Sequence, residues 1–269
     1  MSDGLLGAAI LSAAELEAGL LAWREAVLGD PQARWDSRRD LAYWQHAAEH
    51  FEEYRQPIPH TIAAVQAQLR PAWSLLDVGA GTGRFTRPLA PFVRQITALD
   101  YSADMLAVLV AAGLPAHVRV WQRDFHAPDI PPHDAVLAAW ALYRSPDLRA
   151  DVERLWGLAR HLLLVLEDNG LPSPHVAWKR RANPAPRLPY PRTALIAGIL
   201  HERAQVSVLE IREQRVEEYP SLEALLARHK VDASQSGEFL AYLSPYLAQS
   251  GAGVRYTFEA VNTLVVAQR

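Results

Sequence analysis

The sequence predicts an α/β fold, a largely parallel sheet with helices on both faces, and three observations carry that expectation. From Trp73 onward, short apolar runs alternate with helix-spaced stretches: "SLLDV", "ITALD", "VRVWQRD", "DAVLAAW" and "HLLLVLED". The runs are too short for helices and rich in Leu, Val and Ile, as strands buried on both faces are. A loop with three glycines, "LLDVGAGTGRF", joins the first run to the next helix-spaced stretch. Ligands of such sheets bind outside the carboxyl ends of the strands, which is where this loop falls.

The elements follow in order. Ser12 and Glu15 have capping-box spacing, and Leu16, Leu20, Trp23 and Val27 then recur at helical intervals before Gly29-Asp30-Pro31. A second helix is expected over 38–55, with Leu41, Trp44, Ala48 and Phe51 as its apolar stripe. A third carries Ile62, Val65 and Leu69. Residues 1–70 thus form an expected helical cap on a domain spanning 71–269. Residues 169–203 begin with six prolines (172, 174, 184, 186, 189, 191) around Lys179-Arg180-Arg181, and they read as an inserted basic loop or lid. Strand-like sequence resumes at "VSVLEIRE". Helices are expected near Ser221 and Ser236, and "VRYTFEAVNTLVVAQR" reads as a last strand.

Composition excludes several chemistries. The 269 residues carry a net charge of −3, so binding of nucleic acid through general basicity is not expected. There is no cysteine, which removes disulfides, thiolate metal sites and cysteine nucleophiles. The apolar stretch "GLLGAAILSAA" is too short to span a membrane and lacks a basic start, so a soluble cytoplasmic protein is expected.

The glycine loop separates three ligand types. Gly79, Gly81 and Gly83 are spaced G-x-G-x-G, whereas a dinucleotide fingerprint needs its third small residue at the place of Arg84. The phosphate loop of nucleoside triphosphatases needs G-K-S or G-K-T, and neither occurs. A strand ending in an acid, followed by G-x-G-x-G, resembles the first motif of the class I S-adenosylmethionine-dependent methyltransferases. Further positions in order extend the resemblance over Trp73 to Asp168: "ITALDYSADML", "WQRDF" and "DAVLAAWALYRSPD".

That resemblance implies a Rossmann-like, seven-stranded, mostly parallel sheet with an antiparallel last strand. It also implies S-adenosyl-L-methionine as cofactor and S-adenosyl-L-homocysteine as product. By the same resemblance, Asp77 with Gly79, Ala80, Gly81 and Gly83 meets the methionine end, and Asp100 grips the ribose hydroxyls. Tyr101 and Met105 line the adenine, Asp124 accepts its amino hydrogen, and Phe125 flanks the ring. Trp140 falls beside the cofactor and Tyr143 near the reacting methyl.

The acceptor is less marked. A general base is needed only for a protonated acceptor, and Tyr143, His126, Glu167 and His60 are candidates, Tyr143 foremost. Methylation at cytosine C5 needs a cysteine, and the turn "AAWALYRS" lacks the N-P-P-Y type clamp of amino methylation. Tyr54 and Arg55 are candidate substrate or cofactor contacts from the helical cap. "WKRRANPAPRLPYPR" interleaves Trp178 and Tyr190 with basic residues as a strand-tracking surface does, yet on an acidic chain a flap is the expected reading. His46 and His50 in "HAAEH" match an inverted zinc-protease motif, but they fall opposite the apolar stripe, and no metal is expected. A small-molecule acceptor is therefore expected. The alternatives are an RNA or protein acceptor, or a cofactor-binding protein without catalysis.

Overall fold

The computed structural model describes residues 11–29, 42–44, 48, 56–168, 170–182 and 188–269. Helix α1 (Ala13–Gly29) opens with the expected capping box. Glu15 Oε2 accepts the Ser12 N–H at 2.9 Å and the Ser12 hydroxyl at 2.6 Å, and Ser12 Oγ accepts the Glu15 N–H at 3.3 Å. Helix α2 (Pro59–Gln66) has no side-chain cap of its own. The buried Glu213 supplies one from a distant strand, accepting the Thr61 N–H at 2.6 Å.

The chain then runs through β1 (Ser74–Val78), the single turn α3 (Thr86–Leu89), β2 (Gln95–Asp100), α4 (Ala103–Ala111), β3 (Val118–Gln122) and β4 (His133–Ala139). Next come α5 (Leu148–Leu158), β5 (Ala159–Asp168), α6 (Pro174–Ala182), α7 (Arg192–His201) and β6 (Gln205–Tyr219). Last are α8 (Leu222–Arg228), α9 (Ser236–Leu243), β7 (Leu247–Ser250) and β8 (Gly253–Gln268). The main path of the sheet has the order β3-β2-β1-β4-β5-β8-β6, with β7 paired to β8 outside it. Strands β1 to β5 pair in parallel, and β8 runs antiparallel between β5 and β6.

The apolar runs divide by the two-residue period of a strand. Leu76, Val78, Val136, Ala138, Leu163 and Val165 face one core with Leu16 and Trp23 of α1, Val152 and Leu155 of α5, and Leu195 and Ile199 of α7. Leu75, Ala135, Leu137, Leu162 and Leu164 face the other, with Ile58, Val65, Phe85 and Leu89. Both faces are therefore covered, which is why these strands read as continuous apolar runs rather than alternating ones.

One sequence expectation changes. Residues 169–203 are not simply a loop, because their described part holds α6 and α7, and α7 is buried in the first core. Two of the prolines that suggested irregular chain sit where helices tolerate them: Pro174 is the first residue of α6, and Pro191 caps α7. The second helix expected over 38–55 lies largely outside the described residues, of which 42–44 and 48 are helical.

Candidate active site

The glycine loop is folded back onto the end of β2. Gly79 and Ala80 both donate their N–H to Leu99 O, at 2.8 and 3.0 Å, and Gly83 closes a turn onto Ala80 O at 2.9 Å. Gly81 lines a cavity with φ +53°, a conformation that side chains rarely adopt. Gly83, at φ +86°, has a different task. A Cβ there would lie 2.2 Å from Leu109 Cδ1 of α4, so this glycine permits close packing behind the loop. It does not line the cavity, unlike Gly79, Ala80 and Gly81. The small residue that close packing demands therefore exists, one position before the place where a dinucleotide fingerprint puts it.

The cavity has a volume of about 210 Å³ and gathers residues from the ends of β1, β2, β3 and β4. Asp77, Asp100, Tyr101, Met105, Asp124, Phe125, Trp140 and Tyr143 all line it. Asp77 is buried and accepts the Thr86 hydroxyl at 2.6 Å. Burial pushes its carboxyl up to about 6, Thr86 partly offsets that, and the nearby Asp100 charge adds to it. Asp100 Oδ2 accepts the Gly81 N–H at 2.9 Å, and its Oδ1 accepts the Ser102 N–H at 2.8 Å. One side chain thus ties the glycine loop to the start of α4. Burial raises its pKa while these backbone donors pull it down. The two carboxylate oxygens have four acceptor sites for these backbone donors and that of Tyr101, so the side chain retains capacity for a ligand hydroxyl.

A second wall is aromatic and guanidinium-rich. Trp140 follows β4 at φ +50°, a left-handed conformation unusual for a bulky residue, and its N–H donates to Leu166 O at 2.8 Å. Its ring meets Phe85 at 5.8 Å and carries the Arg84 guanidinium at 5.2 Å. Arg144 lies over both Tyr43, at 5.6 Å, and Tyr143, at 5.1 Å. Burial pushes the Tyr143 hydroxyl up to about 12, with the Tyr43 and Glu167 charges adding to it. At neutral pH it is a hydrogen-bond donor and a poor general base. Trp44, Arg84, Phe85, Arg123, Ala141 and Arg144 line the cavity without having been anticipated there. Most adjoin a motif residue, which is a usable signal, whereas Trp44 arrives from the N-terminal segment.

The remaining base candidates fall outside the cavity lining. His60 faces β6, with Nδ1 3.1 Å from Arg212 O. Glu167 is fully buried and ion-paired with Arg192, and burial pushes it up to about 7 against the pull of that guanidinium. Arg192 in turn lies over Trp23, whose Nε1–H donates to Ser145 O at 2.7 Å. That chain of contacts fastens α1 to the loop carrying Trp140 and Tyr143. His126 hydrogen-bonds Asp124 from behind. Tyr54, Arg55, His46 and His50 lie outside the described residues.

Trp178 is not placed to stack on a ligand. Trp178 is buried edge-on against Phe239 at 5.0 Å, in an aromatic cluster with Tyr256. Among the described residues no helix is long and apolar enough to cross a membrane.

Residues 75–162 match a family model described as a methyltransferase domain. The YcgJ protein from Bacillus subtilis has a similar fold, with a TM-score of 0.54 at 16% identity over 79% of this chain and 99% of that one. Magnesium protoporphyrin IX methyltransferase from Synechocystis, crystallised with S-adenosylhomocysteine, aligns with a TM-score of 0.47 at 16% identity, over 93% of this chain and 94% of that one. No curated protein matches the sequence. The family match begins at Leu75 and so takes in the glycine loop with Asp77, Asp100 and Asp124: this stretch is similar to a methyltransferase domain, set in a mostly parallel sheet with an antiparallel β8.

Proposed function

We propose that the cavity binds S-adenosylmethionine along the ends of β1 to β3 and presents its methyl to a small-molecule acceptor beside Trp140 and Tyr143. One observation carries the reading: Asp77, Asp100 and Asp124, at the ends of three neighbouring strands, converge on a single cavity floored by glycine backbone. The donor set suits the cofactor. Asp100 offers two charge-assisted acceptors to a ribose diol, Asp77 a carboxylate to an ammonium, and Asp124 an acceptor to an exocyclic amine. Met105 and Phe125 offer polarizable faces to a purine. When bound, S-adenosylmethionine supplies an electrophilic methyl on a sulfonium and leaves as S-adenosylhomocysteine.

What the protein's residues do is hold and align. Alignment of donor and acceptor is worth about 7–11 kcal/mol in favourable cases, enough for rapid transfer without a dedicated base. The Tyr143 hydroxyl, kept protonated, orients an acceptor by donating to it. The acceptor wall of Trp44, Trp140, Tyr143, Arg84 and Arg144 favours a flat molecule bearing an anionic group, through stacking and guanidinium contacts.

Calorimetric titration with S-adenosylhomocysteine tests the cofactor half. Turnover of S-adenosylmethionine with a panel of aromatic carboxylates and phosphates tests the acceptor half. Binding without turnover on any small molecule, joined to turnover on RNA or a protein, would sink the small-molecule reading.

A further inference from the structure

Behind Asp124 lies an imidazole held between two carboxylates. His126 Nδ1 is 2.7 Å from Asp124 Oδ1, and its Nε2 is 2.6 Å from Asp151 Oδ1. A neutral imidazole carries one N–H and one lone pair, so it can satisfy only one of these contacts. Both are satisfied only when both nitrogens are protonated. The geometry therefore calls for an imidazolium. The His126 backbone N–H adds a third bond, again to Asp124 Oδ1, at 2.9 Å. Two donors converge on one oxygen, and Oδ2 of this cavity-lining carboxylate takes neither.

The surroundings hold this arrangement in place. Asp151 is buried in the first turn of α5, and the Phe125 ring packs on the imidazole with centroids 4.0 Å apart. From the same helix Arg154 donates to Phe125 O at 3.2 Å and Ala127 O at 2.6 Å, clamping the turn that carries His126. The charged groups around the ring are Asp124, Asp151 and Arg154, with the Arg123–Asp129 pair, 3.6 Å apart, on the flanking chain. Partial burial lowers the His126 pKa, but the bonds to Asp151 and Asp124 outweigh it and hold the imidazolium above its ordinary range.

We propose that His126, anchored by Asp151, is a positioning residue for cofactor binding: as an imidazolium it fixes Asp124 so that Oδ2 is the oxygen offered to the ligand. This rests on the reading of Asp124 as an adenine contact. Loss of the His126 proton leaves a lone pair facing a carboxylate, which turns one anchor into a repulsion. Cofactor affinity then falls as pH rises through the His126 pKa. The proton sits at the nitrogen facing Asp124 or Asp151 and leaves to solvent, since the side chain is half exposed.

The test measures S-adenosylhomocysteine affinity by calorimetry from pH 6 to 8.5 for wild type, His126→Gln and Asp151→Asn, with the His126 pKa read by NMR of labelled imidazole in the free protein. Wild type should weaken with rising pH at the midpoint that NMR reports for His126. Asp151→Asn should move that midpoint to lower pH. His126→Gln should bind about five- to tenfold more weakly at pH 6 and show a flatter profile, with KM for S-adenosylmethionine raised and kcat little changed. A His126 pKa at or below that of a free histidine overturns the proposal. So does a wild-type profile that coincides with that of His126→Gln. A wild-type protein that binds no S-adenosylhomocysteine at any pH overturns the cofactor reading and this proposal with it, and is told apart by failing before any variant is compared.

Discussion

The two walls of the cavity are built in opposite ways. The wall at β1, β2 and β3 is made of devices within one stretch of chain: a glycine loop folded onto Leu99 O, Asp100 and Asp124 each accepting a backbone N–H two residues on, and Asp77 accepting the Thr86 hydroxyl. The acceptor wall is assembled from distant pieces. Tyr43 and Trp44 precede the sheet, Arg84 follows the glycine loop, Trp140 to Arg144 follow β4, and α1 and α7 brace them through Trp23 and Arg192. A wall of local parts can be read from one stretch of sequence and serve many enzymes unchanged. A wall of remote parts can be altered piece by piece, which suits the half proposed to meet the acceptor.

Substitutions can break this division or sharpen it. The largest effect is expected at Asp100, where Asp100→Ala removes the proposed ribose acceptor and the tie between Gly81 and Ser102. Loss of charge-assisted bonds worth about 1.5–3 kcal/mol each should weaken S-adenosylhomocysteine by tenfold or more in calorimetry, with the circular dichroism spectrum retained. Normal binding by that variant would dissolve the distinction between the walls. Next is Gly83→Ala, a purely structural change at φ +86° against Leu109. About 2–3 kcal/mol of stability should be lost in denaturant melts, while the folded fraction binds cofactor as before.

Asp77→Asn should separate stability from binding. The native carboxyl titrates near 6, above its unfolded value, so the folded state keeps a proton that the unfolded chain releases between about pH 4 and 6. Stability therefore falls as pH rises through that window and stays lower at neutral pH. The asparagine variant should lose this slope and gain about 1–2 kcal/mol at pH 7 in thermal melts, yet bind S-adenosylhomocysteine more weakly. The smallest effect is expected for Tyr143→Phe: a several-fold loss in kcat/KM for the acceptor and unchanged cofactor affinity. A matching loss in cofactor affinity would show that the walls are not independent.

Legibility in the sequence follows the same line. Strands β1, β2, β4 and β5 are legible because each buried apolar run is continuous, and acids mark the ends of β1, β2 and β5, with Asp124 just past the partly exposed β3. The capping box of α1 was readable because Ser12 and Glu15 are three residues apart. The packing of Gly83 against Leu109 is not legible locally, because Leu109 lies on another helix. Helices α6 and α7 were hidden by prolines that read as breakers although they stand at helix starts. Strand β7 was missed because four residues closing a hairpin on β8 carry no period of their own. Trp44 was read as packing, and nothing in its own stretch of sequence points across the fold to Trp140.

The hydrogen bond from Trp23 to Ser145 O crosses 122 positions of chain and ends beside the loop that faces the acceptor. A change at Trp23, in the core and far from the cavity in sequence, should therefore be felt at the loop carrying Trp140 and Tyr143 while leaving Asp77, Asp100 and Asp124 untouched.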